Sequence, residues 1–229
     1  MQGALDKTLE AGAVPCGGHT LESKELRFGL SVTGIVNKNH FSQNKNLHAG
    51  DILILTKPLG TGVLSTGIRG KWDNAENAEK ELFSHTTKLN NSAAGIIQEF
   101  QIEASTDITG FGLIGHSLEM AKASRKSIVL QQEKIPFMRY VLDYARNGLI
   151  PKRCYDNKRY AEQSVQIEER VPELIATLCH DPQTSGGILL AVPEEKVCRI
   201  SRALQDNGDK AFEIGYVTEL QDKHIKITA

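Results

Sequence analysis

Residues 104–121 (ASTDITGFGLIGHSLEMA) constrain the fold and the chemistry of this chain more than any other stretch. They place three glycines and Asp107 directly before an apolar segment typical of a helix. Backbone N–H groups at a helix N-terminus favour anions, and glycine lets a ligand approach the main chain. A carboxylate repels a bare phosphate, so Asp107 is expected either to cap the turn or to hold a divalent cation that bridges to a phosphate.

Charge and cysteine usage narrow the classes of partner. The 229 residues contain 27 Lys and Arg against 28 Asp and Glu, with no long run of either sign. Such a chain has no electrostatic preference for nucleic acid, and no apolar run approaches the roughly 18 residues of a membrane span. We therefore expect small molecules or another protein chain as partners. A reducing, cytoplasmic location is expected because the four cysteines stand far apart, which predicts neither a disulfide framework nor a metal knuckle. They are Cys16, Cys154, Cys179 and Cys198.

Hydrophobic periodicity predicts a mixed α+β domain. Apolar residues alternate strictly over 26–32, as in a half-buried strand, and DILILT at 51–56 indicates a second strand. Because residues before 26 cannot supply neighbouring strands, the first strand is expected to fray or to recruit another chain. The polar stretch 37–49 indicates a boundary. Beyond it strands and helices interleave without a repeat, with a helix predicted over 136–147 and a polar surface excursion over 150–169.

The glycine-rich turns leave alternatives open on the residues alone. GFGLIG at 110–115 satisfies GxGxxG, which predicts a dinucleotide fold and an NAD-dependent oxidoreductase, but no continuous apolar strand precedes it. The competing interpretation is that these glycines only permit close helix packing. KPLGTG at 57–62 could wrap a phosphate with Lys57 as counter-charge, yet it lacks P-loop spacing and favours a strand-to-helix turn. DPQTSGG at 181–187 is typical of a structural loop.

Three isolated side chains belong to residue types that can carry chemistry. His116 lies beside apolar neighbours within the predicted helix, which favours a packing role over a ligand role. Cys16 and His19 flank a glycine pair, but a reactive cysteine needs a base or a helix terminus beside it. Taken alone, both are expected to be ordinary residues.

Four segments together resemble the selenide, water dikinases, the selenophosphate synthetases. They are GGHT at 17–20, GDILILTKPLGTG at 50–62, STDITGFGLIGHSLEMA at 105–121 and DPQTSGG at 181–187. The last segment separates this family from the aminoimidazole-ribonucleotide synthetases and thiamine-monophosphate kinases, which share the fold. The resemblance implies the C-terminal domain of the aminoimidazole-ribonucleotide-synthetase-like fold, a mixed sheet covered by helices. It also implies an ATP-dependent phosphotransferase that converts ATP, selenide and water to selenophosphate, AMP and phosphate.

The resemblance also implies roles for particular residues. Asp107 matches the family's magnesium-binding aspartate, and Gly17, Gly18 and His19 match the loop that contacts ATP across a homodimer. A carboxylate beside a phosphate site is stabilising once Mg2+ lies between them. The cofactor implied is therefore Mg2+, with ATP as substrate.

One departure from the family limits what the chain is expected to do alone. The family's nucleophilic Cys or Sec and its adjacent Lys are expected upstream of Met1. No catalytic nucleophile is therefore assigned in this sequence, and Cys16 is not expected to be the family's nucleophile. Residues 1–48 are expected to be the end of the ATP-binding domain and 49–229 the C-terminal α+β domain. The chain is expected to be inactive in isolation. The alternative function is an inactive C-terminal binding or dimerisation module.

Overall fold

The computed structural model describes residues 1–38 and 41–229, which belong to two compact units, 1–40 and 41–229. The predicted boundary stretch 37–49 includes residues 39 and 40, which lie outside the described residues. No helix in the described parts of the chain is both long and apolar enough to cross a membrane.

Over its described residues, the first unit contains one helix followed by chain that forms neither helix nor strand. Helix α1 spans Gln2–Glu10. The strand predicted over 26–32 is wrong, because these residues form no ladder and their apolar side chains, including Leu26 and Phe28, are exposed. A strand needs a neighbour for its N–H and C=O groups, and the described residues of this unit contain no other strand.

The second unit is built from eight helices and seven strands over its described residues. Three 3-10 turns, Gln132–Lys134, Glu162–Ser164 and Glu194–Lys196, supplement them. The helices are α2 (Thr61–Arg69), α3 (Ala75–Thr86), α4 (Asn91–Phe100), α5 (Gly112–Ser124), α6 (Val141–Arg146), α7 (Lys152–Ala161), α8 (Glu173–Leu178) and α9 (Val197–Asp206). The strands are β1 (Ile52–Leu55), β2 (Ala104–Asp107), β3 (Lys126–Gln131), β4 (Val165–Ile167), β5 (Ile188–Val192), β6 (Phe212–Glu219) and β7 (Ile225–Thr228).

All seven strands form one mixed sheet in the order β2-β5-β1-β6-β3-β7-β4. Strand β7 runs parallel to β3 and β4, and the other neighbours are antiparallel. Strand β1 is apolar at every position because both faces of the sheet are covered there. Leu53 and Leu55 enter the cluster that contains Leu113 of α5, whereas Ile54 packs with Ile200 of α9 on the opposite face. The predicted α+β class, a mixed sheet covered by helices, is confirmed.

Two local predictions need correction. Residues 150–169 are not a plain surface excursion, because they contain α7 and β4. The buried residues of α7 are Cys154, Asn157 and Ala161, a small and partly polar set that gives little hydrophobic signal. The helix predicted over 136–147 begins only at Val141, since the backbone around Phe137 pairs with Leu59 instead.

Candidate functional site

The sheet topology brings three turns together where strands β1 and β2 end and strand β5 begins. Strand β5 lies between β1 and β2 and is antiparallel to both, so its first residues lie beside the last residues of its neighbours. Leu55 of β1 is paired with Leu189, and Asp107 of β2 with Ile188. The turns that follow β1 and β2 therefore meet the 181–187 turn that precedes β5.

Backbone hydrogen bonds join the turn after β2 to the 181–187 turn. The Ile108 N–H donates to the carbonyl of Gly187 at 2.9 Å, and the Gln183 N–H donates to the carbonyl of Thr109 at 3.0 Å. Gly186 fits because it has no side chain, since a Cβ there would lie 2.1 Å from the Ile108 carbonyl oxygen. The two turns are thus one interlocked unit.

Gln183 occupies the N-terminus of α2. Its Oε1 accepts hydrogen bonds from the N–H groups of Gly60 (3.0 Å) and Thr61 (3.3 Å). The Thr61 hydroxyl donates to the Pro182 carbonyl at 3.2 Å and accepts from the Thr184 N–H at 2.8 Å. Because protein groups already use these amides, they are not available to wrap a phosphate. The predicted strand-to-helix turn at 57–62 is confirmed.

Asp181 completes this contact from a buried position. Its Oδ2 accepts from the Gly62 N–H at 3.0 Å and from Gln183 Nε2 at 2.9 Å, while Oδ1 has no partner in the described part of the chain. Burial raises the pKa of Asp181 from the ordinary 3.8 to about 7, against the lowering effect of its hydrogen bonds. The side chain is therefore a capping group for α2 that is held partly protonated near neutral pH.

Asp181→Asn is expected to make stability less sensitive to pH. The folded state holds the Asp181 proton more tightly than the unfolded state, so this group's contribution falls as pH rises from about 4 to about 7. Between pH 6 and pH 8 the loss is about 1 kcal/mol, and Asn avoids it because its amide oxygen can accept from Gly62 without carrying charge. Urea unfolding of both proteins at pH 6 and pH 8 measures the difference.

The paired comparison also removes the effect of His180. Burial lowers the pKa of His180 to about 4, so its contribution changes in the opposite direction as pH rises, but it is the same in both proteins. An equal change in unfolding free energy for wild type and variant would contradict the assignment to Asp181.

Lys57 is a buried residue that also holds the 181–187 turn in place. Its side chain is buried, and Nζ donates to the carbonyls of Lys88 (2.7 Å) and Ser185 (3.0 Å). Burial lowers the pKa of Lys57 to about 8. Both acceptors are main-chain oxygens, so Lys57 fixes the 181–187 turn and is not a counter-charge presented to a phosphate.

The start of α5 packs directly on residues before the 181–187 turn. Gly112 has φ of +69°, and a Cβ there would lie 2.7 Å from the carbonyl carbon of His180. Asn157 Nδ2 of α7 donates to the carbonyls of Gly110 and His180, both at 3.0 Å. His116 is buried, with Nε2 3.1 Å from the Thr109 hydroxyl, so its predicted packing role is confirmed. Gly112 and Gly115 serve close packing, since a Cβ at Gly115 would lie 2.5 Å from Phe111 Cβ, whereas Gly110 is exposed and a Cβ there would meet nothing within 4 Å.

The dinucleotide interpretation of GFGLIG is wrong. That fingerprint requires a buried parallel strand before the helix. Here α5 follows β2, a four-residue strand at the edge of the described sheet that pairs antiparallel with β5. The NAD-dependent alternative loses its structural basis.

Asp107 is the last residue of β2 and is exposed. The described structure gives its side chain no hydrogen bond, and α5 has Phe111 at its N-cap with no capping side chain. Capping is therefore not what Asp107 does. The described residues contain no cluster of three or more His, Cys, Asp or Glu that could hold a metal. One carboxylate still fits Mg2+, which commonly binds one or two carboxylates plus phosphate oxygens and water.

The remaining predicted site residues lie in the first unit. Gly17, Gly18 and His19 are exposed and belong to no helix or strand. Residue-level prediction missed Asp181 and Gln183, which join the turns of the second unit. The signal available was two polar side chains at i and i+2 in a glycine-rich turn, a pattern that surface loops share.

A family model described as "AIR synthase related protein, C-terminal domain" matches residues 48–228. The chain is 40% identical over 220 residues to a selenide, water dikinase of Nitratidesulfovibrio vulgaris (strain DP4), covering 96% of this chain and 63% of the relative. It is 43% identical to the selenide, water dikinase of Caldanaerobacter subterraneus subsp. tengcongensis, covering 99% of this chain and 66% of the relative. The chain thus spans slightly less than two thirds of these relatives' length.

Solved structures share the fold at low sequence identity. Thiamine-monophosphate kinase from Stenotrophomonas maltophilia K279a aligns with a TM-score of 0.58 and 12% identity, over 84% of this chain and 54% of that one. HypE from E. coli aligns with a TM-score of 0.56 and 18% identity, over 86% of this chain and 52% of that one.

Proposed function

The chain belongs to the AIR synthase-related family, whose C-terminal domain it carries, and we propose that it works as part of a selenide, water dikinase. The proposed reaction takes ATP, selenide and water to selenophosphate, AMP and phosphate. Residues 1–48 would end the ATP-binding domain and 49–229 would form the C-terminal domain. Assembly as a homodimer and action in the cytoplasm are parts of this proposal.

One observation carries the proposal. Three turns far apart in sequence interlock at one sheet edge, and the carboxylate of Asp107 remains exposed and unpartnered beside them within the described chain. Phosphoryl transfer depends mainly on positioning and charge stabilisation, so a rigid support beside a free carboxylate suits it.

We assign distinct tasks to the predicted site residues and to the side chains that hold the three turns. Asp107 would be one ligand of Mg2+, which when bound neutralises phosphate charge. Gln183 and Asp181 would hold the 181–187 turn against α2, and Lys57 would fix its other end. Gly17, Gly18 and His19 would contact ATP.

The test is a turnover assay on the protein as its cells make it, with ATP, Mg2+ and selenide. AMP measured by chromatography and selenophosphate measured by phosphorus NMR are expected to form in equal amounts. Samples without selenide serve as the control. ATP hydrolysis at the same rate with and without selenide would contradict the proposal. ATP binding with no turnover would favour the inactive binding module.

A further inference from the structure

A cavity of about 440 Å³ lies between α7, β4 and His180, which is the second residue after α8. Its volume falls within the usual range of sites for small organic ligands. One wall carries Val165 and Ile167, which are two residues apart on β4 and therefore point to the same face. The remaining lining residues are Tyr155, Lys158, Arg159, Glu162 and His180.

His180 lines the cavity and is its buried polar residue. The side chain is 2% exposed, and burial lowers its pKa to about 4, so the ring is neutral at physiological pH. Nδ1 lies 2.8 Å from the Ala176 carbonyl and must carry the ring proton to donate to it. Nε2 is then a hydrogen-bond acceptor, which suits a ligand N–H or O–H group.

The rim of the cavity carries two cations, Lys158 and Arg159, each held by a weak surface ion pair. Lys158 contacts Glu173 at 3.3 Å, and Arg159 contacts Asp156. The Glu173 side chain is 87% exposed and that of Arg159 is 73% exposed, so both pairs are surface pairs worth about 0–1 kcal/mol. A ligand anion could replace either carboxylate. Glu162 also lines the cavity and opposes an anion, so binding depends on displacing Glu173 or Asp156 from its cation.

We propose that this cavity binds a small planar aromatic anion, with its ring against Tyr155 and β4, an N–H or O–H group donated to His180, and its anionic group at Lys158 and Arg159. Each wall matches one part of such a molecule, and an uncharged or cationic compound would leave the rim unused. The proposal is independent of the proposed kinase function, because its test uses neither ATP nor selenide.

The probe is indole-3-acetate, which carries a planar ring, one N–H donor and one carboxylate. Titration followed by nitrogen–proton NMR is expected to shift the resonances of the lining residues and the ring nitrogens of His180, with a Kd below about 1 mM. 1-Methylindole-3-acetate lacks the donor, and indole lacks the anion. Each is expected to bind about 2- to 5-fold more weakly, which corresponds to the loss of one hydrogen bond or one surface ion pair.

Two variants locate the site. Ile167→Trp is expected to fill the cavity and abolish the shifts, and Arg159→Gln is expected to weaken indole-3-acetate while leaving indole unchanged. Arg202→Gln is the matched control, because Arg202 is also an exposed helical residue paired with an aspartate one turn away. Absence of shifts up to about 5 mM, or equal binding of all three compounds, would overturn the proposal.

Discussion

Gly186→Ala is expected to destabilise the second unit by about 3 kcal/mol, which lowers Tm by about 10 °C. An added Cβ would lie 2.1 Å from the carbonyl oxygen of Ile108 and 3.0 Å from Gln183 Cβ. The nearest obstacle is main chain, so no side-chain rotation relieves it. The two turns must separate, and the hydrogen bond between Ile108 and Gly187 is lost with them. Thermal melts and urea unfolding measure the change.

Gly95→Ala is the matched control for this substitution. Gly95 lies exposed within α4, and a Cβ there would meet nothing within 4 Å. Alanine is favoured over glycine in a helix interior, so this variant is expected to gain about 0.5–1 kcal/mol. If Gly186→Ala matched Gly95→Ala in stability, the interlocked turns would not be a rigid support.

Periodicity was a sufficient guide where local pattern and burial agree. The apolar residues at 51–56 predicted a strand, and β1 lies within that range. Helix α7 was not predicted, because its buried residues are Cys154, Asn157 and Ala161 and give no apolar periodicity. Burial there depends on hydrogen bonds that Asn157 makes to distant carbonyls, which no local pattern contains.

In the candidate site, too, local features were predicted from the sequence and long-range partners were not. Sequence identified the three glycine-rich turns, but not that Gln183 caps a helix starting more than a hundred residues earlier. The sequence also did not show that Lys57 donates its hydrogen bonds to the carbonyls of Lys88 and Ser185. Such partners are set by strand order, because β5 lies between β1 and β2. Long-range pairing of this kind has no signature in a single sequence.

Asp107→Asn is expected to lower magnesium-dependent turnover at least about 100-fold, about 3 kcal/mol, while leaving Tm nearly unchanged. The fold should survive because the exposed Asp107 carboxylate makes no hydrogen bond within the described residues, and surface changes of this kind stay within about 0.5 kcal/mol. Turnover should fall because an amide keeps the shape but removes the charge that binds Mg2+. Thermal melts and ATP turnover across a magnesium titration, on the protein as its cells make it, separate the two effects.

Asp222→Asn provides the control, because Asp222 is an exposed aspartate in the turn between β6 and β7 and its substitution removes the same charge. A general effect of net charge on nucleotide binding would lower turnover equally in both variants, whereas a ligand role affects only Asp107. Raised magnesium should restore part of the Asp107→Asn activity, since weaker coordination is offset by mass action. Turnover close to wild type at limiting magnesium would show that Asp107 is not a ligand, and the support formed by the three turns would then need another partner for the phosphates.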